Sequence, residues 1–123
     1  MIRKYSEMVG GTLIEEFPAV KASEGVSQRL IDAIIIPSLP KRVAKPSEVT
    51  IEGQDILVVQ AKASRLGMYL MGQTLFSAEL MKRFAPASVR SVALCAADDG
   101  VLRPMLERFP GMEVVVLPPR RAA

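Results

Sequence analysis

Three polar side chains stand where strands should be wholly apolar. In Leu30-Ile31-Asp32-Ala33-Ile34-Ile35-Ile36 a carboxylate interrupts a β-branched run. In Ile56-Leu57-Val58-Val59-Gln60-Ala61-Lys62 an amide and an ammonium close a second run. Burying a lone charge is costly, so Asp32 needs a cation, a donor network or a sheet edge that admits water. Gln60 and Lys62 are two apart and so share one face of their strand. If the two strands pair, a carboxylate, an amide oxygen and a lysine converge on one rim. That set suits a divalent cation beside a phosphate. The same residues fit equally a buried Asp32–Lys62 ion pair that merely ends two strands.

Composition narrows the chemistry. The 123 residues contain no histidine, which removes Ser-His triads, imidazole general bases and His-ligated zinc. Any metal must be held by oxygen, which suits Mg2+ or Mn2+. The single cysteine, Cys95, has no partner for an internal disulfide, so a reducing, cytoplasmic setting is expected. No apolar run is long enough for a membrane span, and no membrane association is expected. A net charge of +3 mildly favours an anionic partner. Lys41, Arg42, Lys45, Lys62 and Arg65 carry part of it, and a solvated basic surface explains the same excess.

The elements that must position these residues follow from periodicity. Residues 2–20 are predicted helical, with Met8, Leu13, Ile14 and Phe17 on one side and Gly10-Gly11 weakening the middle. Residues 29–36 form a buried strand stopped by Pro37, and Pro37–Pro46 is the best candidate for a mobile loop. A short strand at 48–51, a turn and a strong strand at 55–63 come next. A helix over 69–84 ends before Pro86, followed by a strand at 89–95. Asp98 or Asp99 caps a short helix to Phe109, and 114–117 is the last strand. Residues 117–123, with the Pro-Pro-Arg-Arg tail, should be frayed. The alternation predicts one α/β domain, a mixed central sheet flanked by helices.

A helix with a glutamate, a strand bearing Asp32, a hairpin and a strand ending in Gln60-Ala61-Lys62 resemble the PD-(D/E)xK nuclease superfamily. That group includes restriction endonucleases, Holliday-junction resolvases and RecB-type exonuclease domains. The resemblance spans about 7–95 and implies a restriction-endonuclease-like α-β-β-β-α-β core, here with an added C-terminal α-β. It implies magnesium held by Asp32, Gln60 and the Ala61 carbonyl, with Lys62 assisting hydrolysis. Gln73, in Gly72-Gln73-Thr74-Leu75-Phe76, is similar in place to the helix glutamine of RecB-type domains. Gln60 stands where the family usually has Asp or Glu, which lowers the charge offered to a metal. On the predicted first helix, Glu16 borders the apolar stripe and is the choice for a second acid, ahead of Glu15 and Glu7.

The expected function is therefore divalent-metal-dependent hydrolysis of phosphodiester bonds, of DNA more than RNA. Asp32, Gln60, Lys62 and Glu16 carry catalysis, while Lys41, Arg42, Lys45, Arg65 and Gln73 contact the nucleic acid. A homodimer or a subunit of a larger assembly is expected, since duplex cleavage needs two sites. The alternative is a non-catalytic module that keeps the nuclease fold to bind nucleic acid or a partner protein. Asp98-Asp99-Gly100 reads as a turn and helix cap, the seven methionines as adaptable packing, and Cys95 as a buried small hydrophobe.

Overall fold

Gly10 and Gly11 decide how the chain begins. Both take positive φ, at 80° and 78°, so the first helix stops at Val9. The computed structural model describes residues 1–119 and resolves ten elements in that span. They are α1 (Ile2–Val9), β1 (Thr12–Val20), β2 (Arg29–Ile36), β3 (Arg42–Ala44), a 3-10 turn (Pro46–Glu48), β4 (Asp55–Arg65), α2 (Met68–Lys82), β5 (Ser88–Ala97), α3 (Leu102–Glu107) and β6 (Met112–Val116). The strands form one mixed sheet in the order β3-β1-β2-β4-β5-β6. β1, β2 and β4 make an antiparallel meander. β5 lies parallel to β4 across α2, and β6 parallel to β5 across α3.

The α/β class and the mixed sheet with helices agree with the sequence expectation. Three local expectations do not. Residues 12–20, predicted as helix, are strand β1. The Leu13-Ile14-Phe17 spacing misleads because β1 carries an irregularity at Glu16, so that Ile14 and Phe17 pack into the same core three residues apart. Residues 48–51, predicted as strand, make no ladder: Pro46 starts a 3-10 turn, and the Glu48 carboxylate accepts the Lys45 N–H at 2.7 Å. The segment expected to be a mobile loop instead contributes β3, paired parallel to β1 at the sheet edge. Of the tail expected to fray, residues 120–123 lie outside the described residues, while the Leu117 N–H donates to the Cys95 carbonyl at 2.8 Å.

The sheet is covered on both faces. Ile34, Ile36, Ile56 and Val58 pack with Met81 of α2, and farther along that face Ala93, Cys95 and Val114 pack with Leu70 and with Leu106 of α3. On the opposite face Ala33, Ile35, Leu57, Val59 and Leu94 pack with Tyr5 of α1. Burial on both faces explains why β4 reads as a continuous apolar run rather than an alternating one. No helix among the described residues is long and apolar enough to cross a membrane.

Candidate functional site at the parting of two strands

The ladder between β2 and β4 runs from Ile35–Leu57 to Ala33–Val59 and stops. Beyond it, side chains replace backbone pairing. The Asp32 N–H donates to Gln60 Oε1 at 3.3 Å, and the Ala61 N–H donates to Asp32 Oδ2 at 2.9 Å. Gln60 Nε2 then donates to Ser77 Oγ of α2 at 2.7 Å. A strand residue's N–H and C=O point to the same side, so the Ala61 carbonyl also faces the gap beside Asp32. Asp32 is half-buried, and among the described residues it forms no ion pair. Lys62 is exposed, its ammonium 5.8 Å from the Tyr69 ring centroid. The buried Asp32–Lys62 pair that the sequence also allowed is therefore not what ends these strands.

Glu16 reaches the same neighbourhood from a strand rather than from the expected helix. It stands opposite Asp32, between the pairs Glu15–Ala33 and Phe17–Ile31, at a break in the β1–β2 ladder. Its φ is 49°, a backbone state that non-glycine residues occupy at a cost. The break switches the faces of both strands: Ile14 and Phe17 share one core, as do Ile34 and Ile31. In consequence Glu15, Glu16 and Asp32 line one open cavity of about 320 Å³ with Ile2 of α1. Glu15 is held by Arg3, whose Nε donates to it at 2.8 Å. This hydrogen bond, aided by the attraction between the charges, raises the guanidinium pKa above its ordinary value. Glu16 and Asp32 have no cationic partner among the described residues.

These carboxylates and the Ala61 carbonyl are hard oxygen donors, the right kind for magnesium or manganese. They are not gathered tightly: among the described residues no group of three or more His, Cys, Asp or Glu is placed to hold an ion. Gln60 is 4% exposed, with its amide oxygen turned onto the Asp32 N–H and its nitrogen onto Ser77. It acts as a splice between β2, β4 and α2, and ligation would require that splice to open.

The residues expected to contact nucleic acid are not all brought together. Arg42 lies beside Thr12, four residues before Glu16 and roughly 13 Å along the strand. With Lys41 it lines a separate depression near Arg3 and Glu7, and it lies 3.8 Å from Glu48. Lys45 is exposed at the start of the 3-10 turn. Arg65, at the end of β4, donates to the Asp98 carbonyl. Only Gln73 lies near Gln60, both lining a groove of about 450 Å³ between α2 and the first residues of β2.

That groove exposes residues to which the sequence reading gave no ligand contact. Met68, Tyr69 and Phe76 line it at 77%, 72% and 71% exposure, with Arg29 and Leu30 on the opposite wall. The available signal was that apolar residues are spread over both sides of α2 rather than gathered in one stripe, as they are on a helix with a single solvent face. Met81 does pack as expected, whereas Met68 and Met105 are exposed. Asp99 caps α3, its Oδ1 accepting the Val101 and Leu102 N–H groups at 2.9 and 2.8 Å, and those bonds hold its carboxyl below the ordinary value. Cys95 is buried in β5, and burial raises its thiol pKa.

No protein-family model matches this chain, and neither a curated protein nor a solved structure does.

Proposed function

We propose that this chain is a divalent-metal-dependent nuclease of restriction-endonuclease-like fold, acting on phosphodiester bonds of DNA. The observation that carries the reading is the meeting of Asp32 with Gln60-Ala61 where β2 and β4 part, one residue before Lys62. Support comes also from the order α1-β1-β2-β4-α2-β5, with the edge strand β3 and a 3-10 turn inserted before β4, an antiparallel meander followed by a helix and a parallel strand. In this reading Asp32, Glu16 and the Ala61 carbonyl hold the cation, and Glu15 remains with Arg3. Magnesium or manganese bound there would supply Lewis-acid catalysis to phosphodiester hydrolysis. Lys62, on a four-carbon arm at the exposed end of β4, neutralises charge as it develops on the phosphate oxygens.

The test is incubation with linear, nicked, branched and single-stranded DNA in magnesium and then in manganese, beside Lys62→Ala and Asp32→Asn prepared identically. Cleavage lost in both variants is the expected result. No cleavage by the unmodified protein on any substrate with either metal overturns the reading.

One observation favours a second reading, a non-catalytic module of the same fold that binds nucleic acid or protein. Gln60 spends both ends of its amide on structure, leaving the strand pair closed over the would-be ligand. Calorimetric titration with manganese separates the two: heat that Asp32→Asn abolishes belongs to the enzyme, and its absence to the module.

A further inference from the structure

We infer that the outer face of α2 is a stacking surface for single-stranded nucleic acid. The inference deepens the nucleic-acid reading given above and rests on nucleic acid being the ligand, but not on cleavage.

The inner face of α2 is used in the core, through Leu70, Thr74, Ser77, Ala78 and Met81. Its outer face should then be polar, yet it presents two aromatic rings. Tyr69 and Phe76 are seven residues apart, two turns and about 10.5 Å along one helix stripe. Both are more than two-thirds exposed and both line the same groove. Leaving such rings in water is unfavourable, and a monomer has no folding reason to do so.

The charges around the rings select the occupant. Arg29 lines the facing wall, and the Lys62 ammonium sits 5.8 Å from the Tyr69 ring centroid. No acidic residue lines the groove, and Glu79, the next acid along α2, is held by Lys82 at 2.6 Å. A purely apolar partner leaves those two cations unmatched. A single strand matches both features, since unpaired bases stack on rings while their phosphates meet Arg29 and Lys62. A duplex matches only the cations, because its bases are already stacked and paired. Gln60 lines the groove as well, and Lys62 lies beside its Tyr69, so a strand lying in it runs toward the parting of β2 and β4.

The chain has two tyrosines and no tryptophan, and Tyr5 of α1 is buried against the sheet, so Tyr69 provides an intrinsic probe. The experiment titrates the full chain, in EDTA, with a labelled oligothymidylate and with a duplex of equal length. Anisotropy reports binding and tyrosine emission reports stacking. Expected are tighter binding of the single strand, quenching of tyrosine emission, and at least about fivefold weaker binding for Tyr69→Ala and for Phe76→Ala. Tyr69→Phe should retain affinity while losing the quenching. Arg29→Gln should weaken binding and flatten its salt dependence by less than one ion. Equal affinity for duplex, or Tyr69→Ala and Phe76→Ala that fold normally and bind as before, overturns the inference. So does a Phe76→Ala that dissociates a dimer on gel filtration without altering strand binding, since the face is then covered by a second copy. Binding without any cleavage by the unmodified chain in metal would leave this surface standing and remove the nuclease reading; cleavage without a contribution from the rings would do the reverse.

Discussion

The carboxylate of Asp32 accepts the backbone N–H of Ala61 at 2.9 Å, across a gap where β2 and β4 no longer pair. The bond is charge-assisted and ties the acid to the strand that carries Gln60 and Lys62. A second link, from the Asp32 N–H to the Gln60 amide oxygen, runs beside it. One residue thus both closes the sheet and presents a carboxylate to the Glu16 cavity.

That double role separates charge from structure. Asp32→Asn keeps an oxygen for the Ala61 N–H and should change unfolding free energy by less than about 1 kcal/mol, while Asp32→Ala leaves the N–H without its acceptor and should cost about 1–3 kcal/mol. Urea denaturation of both variants checks this. The Asn variant should nonetheless lose all metal-dependent cleavage, and retained cleavage would remove Asp32 from the site.

Glu16 holds a positive φ beside Asp32, so its conformation carries a cost that function has to justify. Glu16→Gly should raise stability by about 1 kcal/mol, because glycine adopts that backbone freely. The same change should weaken manganese binding in calorimetry. A variant that is more stable and binds metal as before would leave Glu16 a strained turn with no ligand role.

Gly10 and Gly11 both have positive φ but differ in surroundings. A Cβ on Gly11 would lie 2.5 Å from the Ile36 carbonyl oxygen and 2.6 Å from the Pro37 Cα, whereas Gly10 has nothing within 4 Å. With φ 80° and ψ −170°, Gly10 occupies a backbone state that is essentially glycine's own, so Gly10→Ala should cost about 1–3 kcal/mol from the backbone alone, and Gly11→Ala more than that because β1 must also shift away from β2. Equal Tm shifts for the two variants would show that the contact with the end of β2 is unimportant.

The Asp99 carboxyl is lowered chiefly by the Leu102 N–H and then by that of Val101. A depressed carboxylate contributes stability that is fully present above its unfolded value and is lost as pH falls through its folded value. Tm of the unmodified chain should therefore fall on acidification more steeply than Tm of Asp99→Ala, the two curves converging at the acid end. Parallel curves would mean that the cap does not couple to folding.

Much of this arrangement was legible because strand and helix periodicities are local. The apolar runs around Asp32 and Gln60, the α2 and β5 spans and the Asp99 cap all follow from neighbouring residues. β1 did not, since a face switch at Glu16 gives a strand the i, i+3 spacing of a helix. β3 did not either: Arg42–Ala44 has little strand character and pairs only because β1 offers an open edge. Glu16 was found for the wrong element, and Tyr69 and Phe76 were given no contact role because exposure is not a property of sequence.

Sequence alone determined the α/β class, the absence of imidazole chemistry and the presence of one apolar run interrupted by an acid and another closed by Gln-Ala-Lys. These depend on residue type and on side-chain period, which the chain carries wherever it folds. Tertiary structure alone decided that Gln60 splices three elements, that Glu15, Glu16 and Asp32 share one cavity, that Lys41 and Arg42 lie beside a separate depression near α1, and that two rings of α2 are bare. Each of these depends on which strand lies beside which and where a ladder stops, and those are long-range contacts that no local window contains.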